Sequence, residues 1–558
     1  METLVSVLND IATLLELGDE NPFKIRAIQS AARALDDVDI DSMGLNEMLA
    51  LPGVGKGTGE LVAEFLETGS IAQYHQLLEQ IPESVLEMTR LRGLGAKKVR
   101  SLWKELGIQS VNELHTACET SRVAALKGFG AKTQANILEA IVQYRSAQSR
   151  FHLHKAMREA ERLCEICRAF ESIQVAEIAG ELRQGEETVS RIALVICGSD
   201  FVHFEQQCKE SGTELAQGAW ETETLCGTSA NDIPFTIQWS TPSTFALCLH
   251  EHSSQAPFHA AFVHLRRERG IATIGAASEA ELYEQSHLPF IPPELRTNPE
   301  LLSDSRLPHT LENLISLSDI RGTVHVHSTW SDGKHSIRQM AERAKVLGCE
   351  YIGICDHSKT AVYANGLSEE RLKRQHEEID ALNAENLGIH ILKGIESDIL
   401  TDGSLDYSDS VLETFDMVVA SVHSAFTLSH EQMTKRLTRA LEHPATTILG
   451  HPTGRLLLKR KGYTFDVDAI VETARKHGKV IEINANPYRL DFSAENAVKA
   501  HKMGVMLSIN TDAHNCEDLA QMHYGVQVAR RAALPRTAIL NTLGLDDFQQ
   551  HIQSSMRR

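Results

Sequence analysis

The first 145 residues alternate short amphipathic helical patterns with turns that contain glycine. Apolar residues recur every three or four positions in NPFKIRAIQSAARAL, ELVAEFLETG and ANILEAIVQYRSA, which is the spacing of one buried helix face. Nothing in this part shows the pattern of a strand. We therefore predict a helical N-terminal region.

Residues 146–300 combine two patterns. Apolar runs that are typical of strands, such as ALVICGSD and FTIQW, stand among helical stretches, and the region closes with LPFIPPELR. A polar stretch with prolines, NPELLSDSRLPHT, follows. This order predicts a mixed α/β region and then a linker over 301–319.

From residue 320 onward, apolar strand candidates alternate with amphipathic helices. Seven such units begin every ~26–40 residues, the length of a strand with its crossover helix. The strand candidates read TVHVH, YIGICDH, IHILKGIES, MVVASVHS, TTILGHPT, KVIEINANP and VMLSINTDAH. The alternation predicts a distorted parallel (β/α)7 barrel, with the carboxyl ends of all strands at one mouth.

Length and composition narrow the class of protein. A chain of 558 residues should form about three or four domains. With 42% hydrophobic and 23% charged residues and no long apolar run, it is not a membrane protein. The first twenty residues carry acids where a secretory signal needs basic residues. We expect a cytoplasmic location.

The formal charge of −20 argues against a protein that coats nucleic acid electrostatically. Local basic surfaces or backbone amides could still bind nucleic acid. Ten cysteines are scattered, and Cys164 with Cys167 is a close pair without a second pair at zinc-site spacing. We interpret that pair as core packing, and the thiols as reduced.

Three segments of the helical region repeat an apolar residue, Gly-x-Gly and a helix start: LPGVGKGTGELV, LRGLGAKKVRSL and LKGFGAKTQANI. Such a turn presents backbone N–H groups to a phosphate oxygen and does not read base identity. One copy could be a purely structural turn, but three copies with nearby lysines resemble the helix-hairpin-helix motif of non-sequence-specific DNA-binding proteins. The candidate DNA-binding residues are Gly53, Gly55, Lys56, Gly93, Gly95, Lys97, Lys98, Gly128, Gly130 and Lys132.

Imidazoles and carboxylates stand at the ends of the predicted barrel strands. His325 and His327 are two residues apart on one strand, so both rings point to the same face. A set of six histidines and three acids suits zinc, manganese or iron and is enough for two or three ions. The candidate metal ligands are His325, His327, Asp332, His357, Glu396, His423, His451, Asp512 and His514.

Metal ions at such a site activate water and neutralise a phosphate ester, so the predicted reaction is phosphoester hydrolysis. Asp332 or a ligand histidine could pass protons, and Arg455 and Arg489 are candidates to hold the phosphate oxygens. We therefore predict Asp332, Arg455 and Arg489 as catalytic residues. Four more side chains could line the same mouth, although the lysines fit an exposed surface equally well: Lys334, Lys359, Asn484 and Asn486.

The order of these parts resembles that of bacterial family X DNA polymerases, whose C-terminal domain is a polymerase-and-histidinol-phosphatase (PHP) domain. The palm motif of that family reads approximately Gly-Ser-Tyr/Phe-Arg-Arg-Gly-x-Glu-Thr-x-x-Asp-Ile-Asp. Here 180–193 keeps the frame, but the two metal-binding aspartates align with Arg191 and Ala193, and the third acid aligns with Thr236. Glu181 replaces the serine that contacts the triphosphate. The resemblance implies a degenerate polymerase site.

The resemblance also implies a domain organisation and a ligand set. The nine candidate ligands match the PHP metal ligands one by one. The implied domains are an 8-kDa-like helix-hairpin-helix domain over 1–80, a fingers-like region over 81–145, a degenerate palm over 146–240, a thumb-like part over 241–300, the linker over 301–319 and the PHP domain over 320–558. Below, residues 146–240 are called the palm segment.

The activity implied by the resemblance is a manganese-stimulated 3′–5′ exonuclease in DNA repair, with 3′-phosphatase and abasic-site cleavage as further activities. The expected partners are DNA with gaps, nicks or blocked 3′ ends and a repair polymerase or ligase, and the chain should be a monomer. Three alternatives stay open: a small-molecule monophosphatase, a gap-filling DNA polymerase and a non-catalytic DNA-binding scaffold.

Overall fold

The computed structural model describes residues 4–36, 45–49, 51, 53–272 and 274–556. Two compact units divide the chain, Met1–Ser149 and Arg150–Arg558. The finer division predicted from the sequence stays a prediction. Among the described helices, none is long and apolar enough to span a bilayer.

The described part of the first unit is helical, as predicted. Its core consists of aliphatic side chains from the inner faces of these helices, including the fully buried Leu8, Val99 and Leu114. The helices are α1 (Leu4–Leu17), α2 (Pro22–Asp36), α3 (Leu45–Leu49), α4 (Lys56–Thr68), α5 (Ala72–Gln80), α6 (Glu83–Met88), α7 (Ala96–Leu106), α8 (Val111–Glu119) and α9 (Ala131–Gln148).

The second unit begins with a mixed sheet covered by helices. The strands are β1 (Phe151–His152), β2 (Ile173–Ala179), β3 (Thr188–Val189), β4 (Ile192–Gly198), β5 (Ala219–Glu221), β6 (Thr224–Thr228) and β7 (Pro234–Ser240). The helices are α10 (Leu153–Arg168), α11 (Gly180–Arg183), α12 (Phe201–Glu210), α13 (Phe245–His252), α14 (Ala256–Glu268), α15 (Glu279–Gln285) and α16 (Leu307–Asn313).

The five-stranded sheet has the order β2-β4-β7-β6-β5, and β1 pairs separately with β3. Only the β4–β7 pair is parallel. Cys164 and Cys167 of α10 lie in the core against this sheet as free thiols, and burial raises the pKa of Cys164 to about 11. The core interpretation of this pair is confirmed.

The C-terminal part forms the predicted seven-stranded parallel barrel. Its strands lie side by side in chain order, and a parallel bridge between Val326 and Ala513 brings the first strand next to the last. The strands are β8 (Gly322–Val326), β9 (Tyr351–Ile354), β10 (His390–Asp398), β11 (Met417–Ser421), β12 (Ile448–Leu449), β13 (Val480–Asn484) and β14 (Leu507–Asn510).

Helices cover the outside of the barrel, which is why most of its strands read as continuous apolar runs. They are α17 (Ile337–Val346), α18 (Glu369–Ala384), α19 (Asp409–Leu412), α20 (His430–Glu442), α21 (Val467–His477), α22 (Ala494–Lys502), α23 (Met522–Arg531) and α24 (Leu545–Met556). Several begin at a Ser or Asp whose side chain accepts a hydrogen bond from the backbone three residues on. These N-caps are Ser336, Ser368, Ser429, Asp466 and Ser493.

The stretch for which the sequence favoured a linker is folded. Residues 301–319 include α16, and Leu302 and Leu307 are buried beneath the helices of the thumb-like part. Ile315 is buried in the core of the barrel. The two prolines of the stretch NPELLSDSRLPHT, Pro299 and Pro308, stand in the first turns of short helices, where a missing N–H costs nothing. Proline is therefore no sign of an extended connection here.

One buried amide joins the two sides of the barrel seam. Asn541 accepts from the backbone N–H of Ile509 at 2.7 Å and donates to the carbonyl oxygens of Ile509 at 2.8 Å and Gly322 at 3.0 Å. Gly322 begins β8 and Ile509 lies in β14. The Asn541 side chain therefore forms hydrogen bonds to the first and the last strand of the barrel.

Replacement of this amide should weaken the barrel. Asn541→Ala leaves buried backbone groups without partners, at about 1–3 kcal/mol each, so we expect the free energy of unfolding to fall by about 3 kcal/mol. Denaturant titration followed by circular dichroism measures the change. Asn313→Ala is the control, because Asn313 bonds only within its own helical turn. Equal midpoints for the two variants would contradict the role of Asn541.

Candidate metal centre and nucleic-acid interface

The nine candidate ligands lie together at the carboxyl-end mouth of the barrel. Most are buried, with His325 on β8, His327 directly after that strand and Glu396 on β10 almost without exposure. Asp332 and His514 stand at the outer edge, with about a third of each side chain exposed. The sequence therefore predicted which residues the fold brings together.

Glu396 is the centre of this cluster. Its Oε1 lies 2.9 Å from His451 Nε2, 3.2 Å from His423 Nε2 and 3.4 Å from His325 Nε2. Its Oε2 lies 3.0 Å from His357 Nδ1 and 3.7 Å from His327 Nε2. One carboxylate thus contacts five imidazoles.

Three overlapping groups in the cluster have ligand atoms within 4.8 Å of one another. His327 and His357 each belong to two of these groups, so they lie between neighbouring positions. The groups are His327, Asp332, His357 and His514; His325, His327 and Asp512; and His357, Glu396 and His423. This arrangement offers two or three ion positions with shared ligands.

The hydrogen bonding of the cluster fits a bound cation. Buried polar atoms normally have partners, yet several here have none among the described residues. They are His325 Nε2, His327 Nδ1 and Nε2, His357 Nδ1, His451 Nδ1 and Glu396 Oε2. Imidazole nitrogens and a carboxylate oxygen that converge at short distances without well-aligned hydrogen bonds form a donor set suited to a divalent transition metal.

The charges in the cluster shift its pKa values strongly. Burial alone would lower the pKa of His357, but the Glu396 carboxylate outweighs it and raises that pKa to about 10. The same balance raises the pKa of His423 to about 9, and at His514 the hydrogen bond to Asp332 helps to raise it to about 9. For Glu396, burial is outweighed by the surrounding histidines, which hold the pKa well below its ordinary value.

A buried acid that the sequence did not predict lies beneath the candidate ligands. Glu482 on β13 accepts from His325 Nδ1 at 2.7 Å and from the backbone N–H of His451 at 3.1 Å. Asn484 Nδ2 bridges Glu482 at 2.8 Å and Asp512 at 3.2 Å. Glu482 orients two candidate ligands. The signal was an acid inside the apolar run KVIEIN, which a strand with both faces covered does not tolerate without a partner.

Two further acids support the mouth. Asp398 Oδ1 lies 2.5 Å from His423 Nδ1 and orients that ring. Asp356 is fully buried and accepts from the backbone N–H and the hydroxyl of Ser328 at 2.8 and 2.6 Å. Through Ser328 it holds the loop that carries Asp332. Both acids directly neighbour predicted strand-end residues, so a wider window around each strand end would have included them.

The two predicted arginines lie in different surroundings. Arg489 Nε is 3.6 Å from Asp512 Oδ2, at the cluster. Arg455 donates to the carbonyl oxygens of Arg489 and Leu490 and pairs with Glu187 of the palm segment at 2.7 Å. Its guanidinium therefore joins the palm segment to the barrel loops, and the phosphate-holding role of Arg455 stays a prediction.

The four other side chains predicted to line the mouth also lie in different surroundings. Lys334 is exposed, while Lys359 Nζ lies over the Tyr407 ring at 5.2 Å. Asn484 is buried under the ligands, and Asn486 Oδ1 accepts from the backbone N–H of Tyr488 at 3.0 Å and so forms the turn before Arg489.

The three glycine turns of the first unit share one geometry. The first glycine of each has a positive φ of 107°, 82° or 89°, which favours glycine, and the second directly precedes a helix. A Cβ at any second glycine would meet nothing within 4 Å, so these turns are open. The second glycines are Gly55, Gly95 and Gly130. Packing within the protein does not require glycine at these positions. Glycine there leaves room for a phosphate to approach the backbone closely.

The predicted lysines lie beside these turns. Lys56, Lys97 and Lys132 are exposed at the helix starts, whereas Lys98 Nζ donates to the carbonyl oxygen of Gly93 at 3.0 Å. Of the apolar residues between the glycines, Leu94 and Phe129 are buried in the core and Val54 is partly buried against it. Each turn is thus anchored by its middle residue and presents its backbone outward.

In the palm segment, the residues that align with the expected metal-binding acids lie on or next to two neighbouring strands. Ala193 on β4 pairs in register with Thr236 on β7, and Arg191 is exposed just before β4. Glu181 accepts from the backbone N–H and hydroxyl of Ser190 at 2.5 and 2.8 Å and from Arg150 at 3.0 Å. The Glu181 carboxylate thus accepts hydrogen bonds from three donors that converge on it.

The comparisons with known proteins agree with this arrangement. Family models match a helix-hairpin-helix domain at 2–71, a SAM-like helix-hairpin-helix tandem at 85–142 and a PHP domain at 323–486. The DNA polymerase/3′-5′ exonuclease PolX of Bacillus subtilis (strain 168) is 37% identical over 99% of both chains. The chain belongs to the PolX family. The PHP match in this PolX-family chain ends before Asp512 and His514, which the fold adds to the cluster.

The barrel alone has a second group of relatives. A probable phosphatase of Thermoanaerobacter sp. (strain X514) is 31% identical over 42% of this chain and 95% of its own length. A probable phosphatase of Caldanaerobacter subterraneus is 30% identical over 31% of this chain and 68% of its own length. PHP domains are metal-dependent, in line with the donor set of this PolX-family barrel.

Removal of the buried charge at Glu482 should weaken metal binding. Glu482→Gln keeps the shape but loses the carboxylate that orients His325, so we expect the affinity for Mn²⁺ to fall by about 10- to 100-fold. Calorimetric titration measures it, with Glu472→Gln on an exposed face of α21 as the control. An unchanged affinity in Glu482→Gln would refute this orienting role.

Metal binding should also release protons. His357, His423 and His514 have pKa values of about 9 to 10 in the metal-free protein, so below pH 9 a cation must displace a proton from each ring it binds. We expect the apparent Mn²⁺ affinity to rise from pH 6 to pH 9. Calorimetry in buffers of different ionisation enthalpy counts the released protons. An affinity that does not change with pH would show that these rings are not ligands.

Proposed function

We propose that this PolX-family chain is a DNA-binding, metal-dependent phosphoesterase that processes 3′ ends as a 3′–5′ exonuclease in DNA repair. One observation carries the proposal: nine ligand-type side chains converge at one barrel mouth in a chain that also holds three open glycine turns. The relative named a DNA polymerase/3′-5′ exonuclease supports it over the full length. Manganese is the proposed metal for activity, and 3′-phosphatase and abasic-site cleavage are the proposed further activities.

The side chains at the mouth would divide the work. The nine candidate ligands would hold divalent ions, which would supply a Lewis acid and activate water. Arg489, at the edge of the cluster, would neutralise a phosphate oxygen. Asp332 and His514 are reachable from solvent and would exchange protons with the departing oxygen. Glu482 and Asp398 keep their histidine partners in the orientation that binding needs.

We further infer that the palm segment does not add nucleotides. Two-metal nucleotidyl transfer needs carboxylates, and Arg191, Ala193 and Thr236 stand at their positions. The Glu181 carboxylate, held by Ser190 and Arg150, would repel a triphosphate from the same donors. The hydrogen bonds from Ser190 and the charge of Arg150 outweigh burial and hold the pKa of Glu181 below its ordinary value, so it stays charged at neutral pH.

A small-molecule monophosphatase is the second candidate, because probable phosphatases share the barrel. The first unit counts against it, since a metabolite enzyme has no use for three backbone phosphate cradles. The two candidates differ in whether the glycine turns matter for the reaction.

The decisive experiment uses the full chain with Mn²⁺ and 5′-labelled DNA that carries recessed, gapped or 3′-phosphorylated ends. We expect stepwise shortening of the DNA from its 3′ end. The rate should fall by at least about 100-fold in His325→Ala/His327→Ala, because loss of two candidate ligands should exceed the effect of changing a residue that only orients a ligand. Unaltered processing by that double variant would reject catalysis by the barrel. Added deoxynucleoside triphosphates should give no longer product, and primer extension would contradict the assignment of the palm segment.

A matched variant separates the two candidates. Gly95→Asn preserves the helix start, because Asn is a good N-cap, but places a side chain where a phosphate would approach. We expect DNA affinity to fall by about tenfold, since a hydrogen bond to a charged group is worth about 1.5–3 kcal/mol. Hydrolysis of a small phosphate ester should not change. A monophosphatase would show neither DNA end processing nor any effect of this variant.

A further inference from the structure

A turn at the rim of the metal cluster exposes two neighbouring apolar side chains. This rim turn (residues 358–366) begins directly after His357. Val362 is 81% exposed and Tyr363 is 72% exposed, whereas the flanking Ala361 and Ala364 are buried. Single exposed apolar residues are common on proteins. Here two occur together on a turn whose base is buried.

The rim turn is held rigidly. The backbone N–H of Leu367 donates to the carbonyl oxygen of His357 at 2.9 Å, which closes the base of the turn. On one side Thr360 Oγ1 donates to Asp398 at 2.8 Å, and on the other Asn365 Nδ2 donates to the carbonyl oxygen of Ser331 at 3.2 Å. A Cβ at Gly366 would lie 2.0 Å from the Ser358 carbonyl oxygen, so glycine is needed for the tight packing.

The Tyr363 ring faces the candidate ligands. Its centroid lies 6.2 Å from that of His357. Partial burial and the charges of Asp398, Glu396 and Asp332 raise the pKa of its hydroxyl, which therefore stays neutral during the reaction. An exposed, rigid and neutral aromatic ring thus stands beside the position where the scissile phosphate would bind.

We propose that Tyr363, with Val362, is a stacking platform for the 3′-terminal base of the DNA, which places the last phosphodiester on the metal cluster. This inference rests on the proposed function. A base is attached to its phosphate through one sugar, so a phosphate at the ligands brings its base to the rim. Aromatic stacking tolerates every base, because each has a π-face, and an exonuclease that removes all four nucleotides needs that tolerance.

The platform also implies a preference for unpaired ends. A terminal base can stack on Tyr363 only after it leaves its partner strand, so a frayed or mismatched end engages at a lower cost than a paired one. The rim turn therefore selects for ends whose last nucleotide is free.

The test compares Tyr363→Ala, Tyr363→Phe and wild-type full chain with Mn²⁺ on single-stranded DNA. One substrate ends in an ordinary nucleotide, and the other ends in an abasic residue. We expect Tyr363→Ala to lower kcat/KM on the ordinary end by about 5- to 150-fold, the effect of one lost base–aromatic stack. Tyr363→Phe should stay within about twofold, since the π-face remains. On the abasic end all three proteins should react alike.

Two controls exclude a structural effect. Tyr363→Ala should keep the wild-type Mn²⁺ affinity, which shows that His357 is undisturbed. Val346→Ala, at an apolar residue 74% exposed on α17, should leave kcat/KM unchanged on both ends. If Tyr363→Ala loses activity equally on ordinary and abasic ends, or loses none, the platform is wrong while the exonuclease stands. If the wild type cleaves only a small phosphate ester and no DNA, the proposed function fails, and the platform fails with it.

Discussion

The barrel mouth depends on one electrostatic constraint: a carboxylate that is withdrawn from water needs positive charge or donors on every side. Glu396 is almost completely buried and contacts five imidazoles. Those imidazoles come from four strand ends between His325 and His451, so only a fold that gathers its strand ends at one mouth can satisfy this residue. The parallel order of the strands and the chemistry of the mouth are therefore two aspects of the same requirement.

The palm segment keeps the frame of the predicted polymerase motif, and packing explains much of what it keeps. Gly185 has a φ of +68°, and a Cβ there would lie 2.5 Å from Gln527 of α23. The next two residues, Glu186 and Glu187, pair with Arg531 and Arg455 of the barrel. The retained glycine and acids thus pack against α23 and against the loop that follows His451. They can be required even where no nucleotide binds.

The glycine turns and the barrel strands could be predicted because their signals are local: a helix start after Gly-x-Gly, or a polar side chain after an apolar run. Eight of the nine candidate ligands stand at predicted strand ends, and Asp332 follows in the loop after the first strand. The pairing of Arg455 with Glu187 could not be predicted, because it joins residues 268 positions apart and depends on how two sheets pack. Glu482 was missed because it lies inside a strand, where the pattern predicts an apolar core. The proline-containing 301–319 was misleading because its elements are short: Leu307, Leu311 and Leu314 recur at helical spacing, but α16 ends at Asn313 and polar residues surround it.

The acidity of the chain makes the two phosphate-binding devices differ in kind. The glycine turns offer backbone amides, which attract a phosphate whatever the net charge of the domain. The barrel mouth holds Asp332, Glu396 and Asp512 among its ligands, with Glu482 and Asp398 just behind them. Arg489 and the four histidines whose pKa is raised, His325, His357, His423 and His514, at most balance these five carboxylates, so in the proposed function the mouth would attract a phosphodiester once divalent cations are bound. In the proposed function, binding of the phosphodiester at the mouth would therefore depend on metal, whereas DNA binding by the glycine turns would not.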